Sequence, residues 1–137
     1  MSILERWDAD CWRHAEDKAD GDRIEVFIQA VGRNAEIPGI VQLYLAFAIE
    51  AAKPEHPAHE YFHARFSRIQ IGLADAIKER QRSGHLASSV LPSSLAQRLI
   101  AVADGLQLQA LLTPDIDVVQ QLRQTLDEVS TDTLVKK

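Results

Sequence analysis

The stretch Ser93–Thr113, SSLAQRLIAVADGLQLQALLT, most constrains what this chain can fold into. Leu95, Leu99, Val102, Leu106 and Ala110 recur at steps of three and four, and so do Ala96, Ile100, Ala103 and Leu111, with Leu108 and Leu112 beside them. The pattern is that of one helix, apolar on more than one side. A surface helix of a monomer needs a single apolar stripe, whereas one that is apolar nearly all round is covered nearly all round. Such a helix either runs through the centre of a domain or meets its own domain on one face and a second chain on the other.

The remaining segments supply helices to pack against it. Leu4, Trp7, Cys11 and Ala15 form a stripe over Ile3 to about Lys18. After the turn Ala19-Asp20-Gly21-Asp22, the Asp22/Glu25 spacing suggests a capping box ahead of a helix with Ile24, Phe27, Ile28 and Val31 on one face. That helix stops before Ile37-Pro38-Gly39. Gly39 to about Lys53 is the most apolar segment and is expected to be covered on most sides. Pro57 suits a first helical turn, opening a long helix from Ala58 to about Ser83 with Phe62, Phe66, Ile69, Leu73, Ala76 and Ile77 inside and Arg65, Arg68, Lys78, Glu79 and Arg82 mostly outside. Gly84 reads as its C-terminal cap. Thr113-Pro114 reads as the start of a last helix carrying Ile116, Val119, Leu122, Leu126 and Val129 on one side. No alternating strand pattern appears, so the fold class is all-α, a bundle of about six helices.

Composition limits the function. At 137 residues with 46% hydrophobic and 26% charged content, the chain is one globular domain or slightly more. A net charge of −5, with Lys and Arg scattered, argues against nucleic-acid binding by this chain alone. The single cysteine, Cys11, allows no intrachain disulfide and fits a cytoplasmic location. No signal peptide is visible, and the longest apolar run is too short for a bilayer, so no membrane partner is expected.

The run IPGIVQLYLAFAIEAAKPEHPAHEYFHARFSRIQIGLADAIKERQRSGHL, followed by LAQRLIAVADGLQLQALLTPDID, resembles the C-terminal half of a TetR-family transcriptional regulator. The features that carry the likeness are the apolar helix ending Glu50-Ala51, the His56-Pro57 helix start, Arg65 to Ile71, Gly84-His85-Leu86, and Asp104-Gly105-Leu106-Gln107-Leu108-Gln109 followed by Leu112 and Pro114. The resemblance spans roughly Ile3 to Val129. It implies a helical domain that binds a small effector and dimerises through its last two long helices, forming a four-helix contact about a two-fold axis. On this chain the dimer seam falls on Ser93–Thr113 and Asp115–Ser130, with Leu95, Leu99, Val102, Leu106, Gln109, Ala110, Val119, Leu122 and Leu126 as contacts.

The family's N-terminal helix-turn-helix domain has no counterpart here. The expectation is therefore a connecting helix over 1–18, an effector-binding and dimerisation domain over 19–130 and a flexible tail over 131–137, cut down, degraded or naturally truncated from a longer regulator. Its partners are a second copy and a small apolar or amphipathic effector, with DNA reached only through the missing domain. The alternative is a free-standing helical interaction protein that heterodimerises with a full-length relative.

Candidate effector contacts are the aromatic residues of the helices before the dimer pair, Trp12, Phe27, Tyr44, Phe47, Phe62 and Phe66, with Gln70 and Gln107 as polar groups in apolar surroundings. Aromatics at helical spacing are also ordinary core. His59 and His63 stand at i, i+4, but no cysteine joins them, and a solvated helix end explains them better than a metal. Cys11 reads as a small buried residue rather than a redox sensor. Neither a glycine-rich phosphate loop nor a nucleophile elbow is present, so neither catalysis nor a cofactor is expected.

Overall fold

These periodicities become six helices in the computed structural model, which describes residues 2–19 and 21–130. They are α1 (Ser2–Ala19), α2 (Arg23–Ala35), α3 (Pro38–Glu50), α4 (His59–Arg82), α5 (Pro92–Leu112) and α6 (Val118–Asp127). Among the described residues no strand forms, and Leu86 and Ser130 make one isolated antiparallel bridge. The tail expected over 131–137 lies outside the described residues.

Local chemistry sets most of the boundaries. Asp22 caps α2, its Oδ1 accepting from the N–H of Ile24 at 3.0 Å and of Glu25 at 3.5 Å. The reciprocal half of the capping box does not form, because Glu25 turns instead to Arg123 of α6. Pro38 ends nothing itself; it is the first residue of α3, where its missing N–H is harmless. At the end of α4, Gly84 takes a φ of +83°. It donates to the Gln81 carbonyl while the His85 N–H reaches back to Arg80, which is the paired arrangement of a Schellman cap.

Three boundaries differ from the sequence expectation. Pro57 lies in the turn before α4, whose approach is stapled by two histidines: the Ala58 N–H donates to His56 Nδ1 at 3.0 Å, and His59 Nδ1 donates to the Ala51 carbonyl at 2.8 Å. Pro92 rather than Ser93 opens α5. Thr113 closes α5 instead of capping α6, its N–H bonded to the Gln109 carbonyl. The α6 cap is Asp117, which accepts from Gln120 N–H at 3.0 Å. The last helix is thus only 10 residues long, not one of a long pair.

The most enclosed helix is α2. Ile24, Phe27, Ile28 and Val31 face a core shared with Leu73 and Ile77 of α4, Leu95 and Leu99 of α5 and Leu122 of α6. Its opposite side, Val26 and Ala30, packs against Cys11 and Ala15 of α1. Gly32 brings α6 close, since a Cβ there would meet Val119 Cγ2 at 2.8 Å.

The helix expected to be covered on most sides, α3, is not. Only Val41 is buried, Leu43 is exposed and Ile49 is 73% exposed. α5 buries Leu95, Ala96, Leu99, Ile100, Ala103 and Gln107 but keeps an open face with Ala101, Gly105, Leu108 and Leu112. Leu108 is 51% and Leu112 80% exposed, and a Cβ on Gly105 would meet only open space.

Candidate functional site

The groups with the most pronounced electrostatics come from four helices and meet beside α2. Asp8 of α1 and Arg65 of α4 form a two-pronged ion pair, Nε to Oδ2 and Nη2 to Oδ1, both at 2.9 Å. Arg65 Nη1 also donates to the Tyr44 hydroxyl of α3 at 2.7 Å, with its guanidinium carbon 4.8 Å from the Tyr44 ring centroid. Tyr61, one turn before Arg65, donates its hydroxyl to Asp8 Oδ2 at 3.2 Å. The Asp8 and Arg65 side chains are each 13% exposed. At that depth a charge is tolerated only when it is paired and hydrogen-bonded, and this one is held from several sides.

The pKa pattern follows. Burial pulls the Arg65 guanidinium down, but the hydrogen-bonded Asp8 carboxylate outweighs it and Arg65 is held above its ordinary value. Burial pushes the Tyr61 phenol up to about 12 and raises Tyr44 as well, against the lowering field of Arg65. Asp104 of α5 is raised too, by burial, with Arg65 pulling the other way. Among the described residues no hydrogen bond reaches the Asp104 carboxylate, so its desolvation is not offset as that of Asp8 is.

Two neighbouring spaces adjoin this cluster. An outer cleft of about 450 Å³ opens between α1, α2 and α4, with Trp12, Phe27, Ile69 and Leu73 on its apolar side and Glu5, Asp8, Arg23 and Arg68 on its charged side. An inner cavity of about 40 Å³ lies behind it, bounded by Trp7, Tyr44, Arg65, Ile100, Asp104 and Gln107. Asp8, Trp12, Phe27 and Ile69 belong to both walls, and the Trp12 and Phe27 rings stand 6.4 Å apart between the two spaces. Trp7 is fixed by donating to Asn34 Oδ1 at 2.8 Å and by the Arg33 guanidinium 5.7 Å from its ring centroid.

Of the effector contacts expected from the sequence, the fold gathers Trp12, Phe27, Tyr44 and Gln107 around the inner cavity. It leaves out the other four. Phe62 packs its ring on Tyr44 at 5.6 Å and on Tyr61 at 5.2 Å, supporting the wall from behind. Phe47 is half-buried on α3 and lines neither space. Phe66 is 40% exposed, because α4 presents Arg65, not Phe66, to the interior. Gln70 spends its amide on the carbonyl and hydroxyl of Ser93, each at 3.3 Å. Arg65, placed outside the apolar stripe by the sequence reading, is the hub of the cluster. The signal for it was present: Phe62, Arg65, Ile69 and Leu73 continue one helical face, and a charge on such a face needs a buried partner.

The expected seam residues divide in the same way. Leu95, Leu99 and Leu122 are buried in the chain's own core and lie out of a partner's reach. Val102, Leu106, Ala110, Val119 and Leu126 are partly covered by the core, and Gln109 is exposed. The outward line of α5 is rotated from the expected one, onto Arg98, Ala101, Gly105, Leu108 and Leu112.

His59 and His63 stack their rings 6.3 Å apart. With His59 Nδ1 committed to the Ala51 carbonyl, the pair serves the turn before α4. Cys11 is buried and donates to the Ala30 carbonyl at 3.4 Å; burial pushes its thiol up to about 11, which leaves it a poor nucleophile.

A sequence-family model described as "BetI-type transcriptional repressor, C-terminal" matches residues 23–134, from the first residue of α2 onward. No curated protein and no solved structure matches the chain.

Proposed function

Because the chain belongs to the TetR family, matching its BetI-type repressor C-terminal domain, we propose that it is the ligand-sensing and dimerisation domain of a TetR-like transcriptional repressor. Its effector is a small apolar or amphipathic molecule. The observation that carries this reading is the outer cleft and the inner cavity meeting at Trp12 and Phe27, with the Asp8–Arg65–Tyr44 cluster alongside. An apolar wall with few fixed polar groups is the usual make-up of a small-molecule site. The unpartnered Asp104 carboxylate offers the polar end of an effector an acceptor.

The same cluster provides a route from ligand to helix position. Asp8 is on α1, so an effector that displaces Tyr44 or competes for Arg65 loosens or re-aims that helix. A ligand shifts the two arrangements only by the difference in its affinity for them. Operator contact falls to a helix-turn-helix domain outside the six helices described. The seam with a second copy falls on the outward face of α5, where Ala101 and Gly105 permit close approach and Leu108 and Leu112 supply apolar area.

Both tryptophans of the chain, Trp7 and Trp12, line the inner cavity. Intrinsic fluorescence therefore reads the site directly. Titration with a panel of neutral and charged amphiphiles is expected to give saturable quenching by at least one class, with a matching rise in melting temperature that Tyr44→Ala removes. A panel that moves neither quantity overturns the sensor reading. Light scattering tests the seam: the expected mass is that of a dimer, reduced by Leu108→Glu, and a monomer at micromolar concentration refutes it.

A further inference from the structure

Gln107 is the one polar side chain in the buried core, 7% exposed, and among the described residues its amide has no hydrogen-bond partner. Among the described residues Arg33 Nε is the one fully enclosed side-chain nitrogen or oxygen without a partner, so the Gln107 amide atoms keep accessible surface and open onto the spaces that the residue lines. Gln107 stands between two spaces. One is the inner cavity already described. The other is a pocket of about 250 Å³ between the end of α2, the start of α3, the end of α5 and the start of α6. Val41 and Gln107 are the two residues common to both walls.

We propose that this second pocket, with Gln107 at its inner wall, is a binding site for a small neutral molecule that has an apolar body and a carboxamide-like head. The pocket shares Val41 and Gln107 with the inner cavity but none of Asp8, Arg65, Tyr44 or Trp12, so the methyl groups that respond distinguish this site from the sensor site. The body is specified by Ala35, Pro38, Val41, Leu111, Ile116 and Val119, which make the wall almost wholly apolar. The head is specified by the Gln107 amide, which offers one acceptor and two donors and so pairs reciprocally with another amide. An anion is disfavoured by the remaining polar residues, since Glu36 and Asp117 are both acidic and no Lys, Arg or His lines the pocket, while the neutral Gln107 amide sets a neutral head. Asp117 is already engaged as the α6 cap and Glu36 is exposed, which leaves Gln107 as the buried recognition group. The volume corresponds to that of about eight liquid waters, which suits a ligand of similar heavy-atom count.

Methyl-resolved NMR of the whole chain tests this with hexanamide as probe and hexanoate as control. Hexanamide is expected to shift the methyls of Leu111, Ile116, Val118 and Val119 saturably, with hexanoate at least tenfold weaker at neutral pH. Gln107→Leu is expected to weaken hexanamide at least tenfold without lowering the melting temperature, because among the described residues the amide it removes makes no hydrogen bond within the chain. Ala110→Leu, which fills the pocket from α5, is expected to weaken it with Gln107 in place. Shifts confined to Ile69, Leu73 and Ile100 overturn the proposal by moving the ligand to the outer cleft or the inner cavity. So do equal binding of hexanoate, unchanged binding to Gln107→Leu, or no saturable shift at all.

Discussion

Removing Arg65 separates its role as the tie between α1 and α4 from its role as bulk. Arg65→Met keeps the aliphatic stem in place but strands Asp8 and takes the donor from Tyr44. Breaking a fully buried ion pair costs roughly 3–5 kcal/mol, because the remaining charge is left uncompensated. Here both side chains keep 13% exposure, so water reaches the stranded carboxylate and the expected loss is at the lower end, about 3 kcal/mol. Asp8→Leu strands the guanidinium instead and is expected to cost a similar amount. With both changes neither charge is left alone, so the double variant should be much less destabilised than the sum, giving a coupling energy of about 2 kcal/mol. Urea unfolding followed by far-ultraviolet circular dichroism at one fixed protein concentration measures all four stabilities. Hydrogen exchange adds the location: in Arg65→Met the loss of protection should concentrate in α1, which is otherwise held to α2 mainly by packing around Cys11 and Ala15 and by the Trp7–Asn34 bond. Additivity within about 0.5 kcal/mol, with protection lost evenly across the helices, refutes the reasoning and reduces Arg65 to packing.

Three further outcomes follow from other contacts. The hydrogen-bonded Arg123 guanidinium holds the Glu25 carboxyl at about 2, below its ordinary 4.5, so the pair's stabilisation is present above the unfolded value and is lost as pH falls towards the folded one. With Arg123 43% exposed, solvent limits it to about 1 kcal/mol, and the stability gap between the wild type and Glu25→Gln in denaturant titrations should shrink steadily on acidification. Gly32→Ala gains about 1 kcal/mol of helix propensity but drives a Cβ into Val119 Cγ2 at 2.8 Å, so it should destabilise by about 1 kcal/mol net, and adding Val119→Ala should reverse part of that loss in the same assay. Burial raises Asp104, so its folded-state affinity for a proton exceeds the unfolded one and its contribution falls as pH rises; Asp104→Asn should be at least as stable as the wild type at neutral pH, with the advantage vanishing on acidification in thermal melts.

Much of the fold was legible because its cues are local. Asp22 before Ile24, Pro38 at a helix start and Gly84 after Arg82 act through their own backbone and need no tertiary partner. The misplaced α6 start had a local cause as well: Thr113-Pro114 and Asp117 both look like caps, and the choice between them turns on how α5 ends. The site was only partly legible. Trp12, Phe27 and Tyr44 stand out as residue types, and they do meet. The sequence pattern sets Arg65 outside the apolar stripe and assigns Asp8 and Asp104 no role in a site, since a charge on a helix acquires meaning only from what lies opposite it.

The sequence by itself determined that the chain is helical, roughly where each helix begins and ends, and that α5 carries apolar residues on two faces, because periodicity and capping are written within a few neighbouring residues. Only the tertiary structure decided that α2, not α5, is the enclosed centre, that α3 leaves Leu43 and Ile49 uncovered, and that one arginine joins α1, α3 and α4. Helical periodicity fixes which residues share a face, but not which face another helix will cover. That is settled by contacts such as Gly32 against Val119 and Asp8 against Arg65, made between residues far apart in the chain.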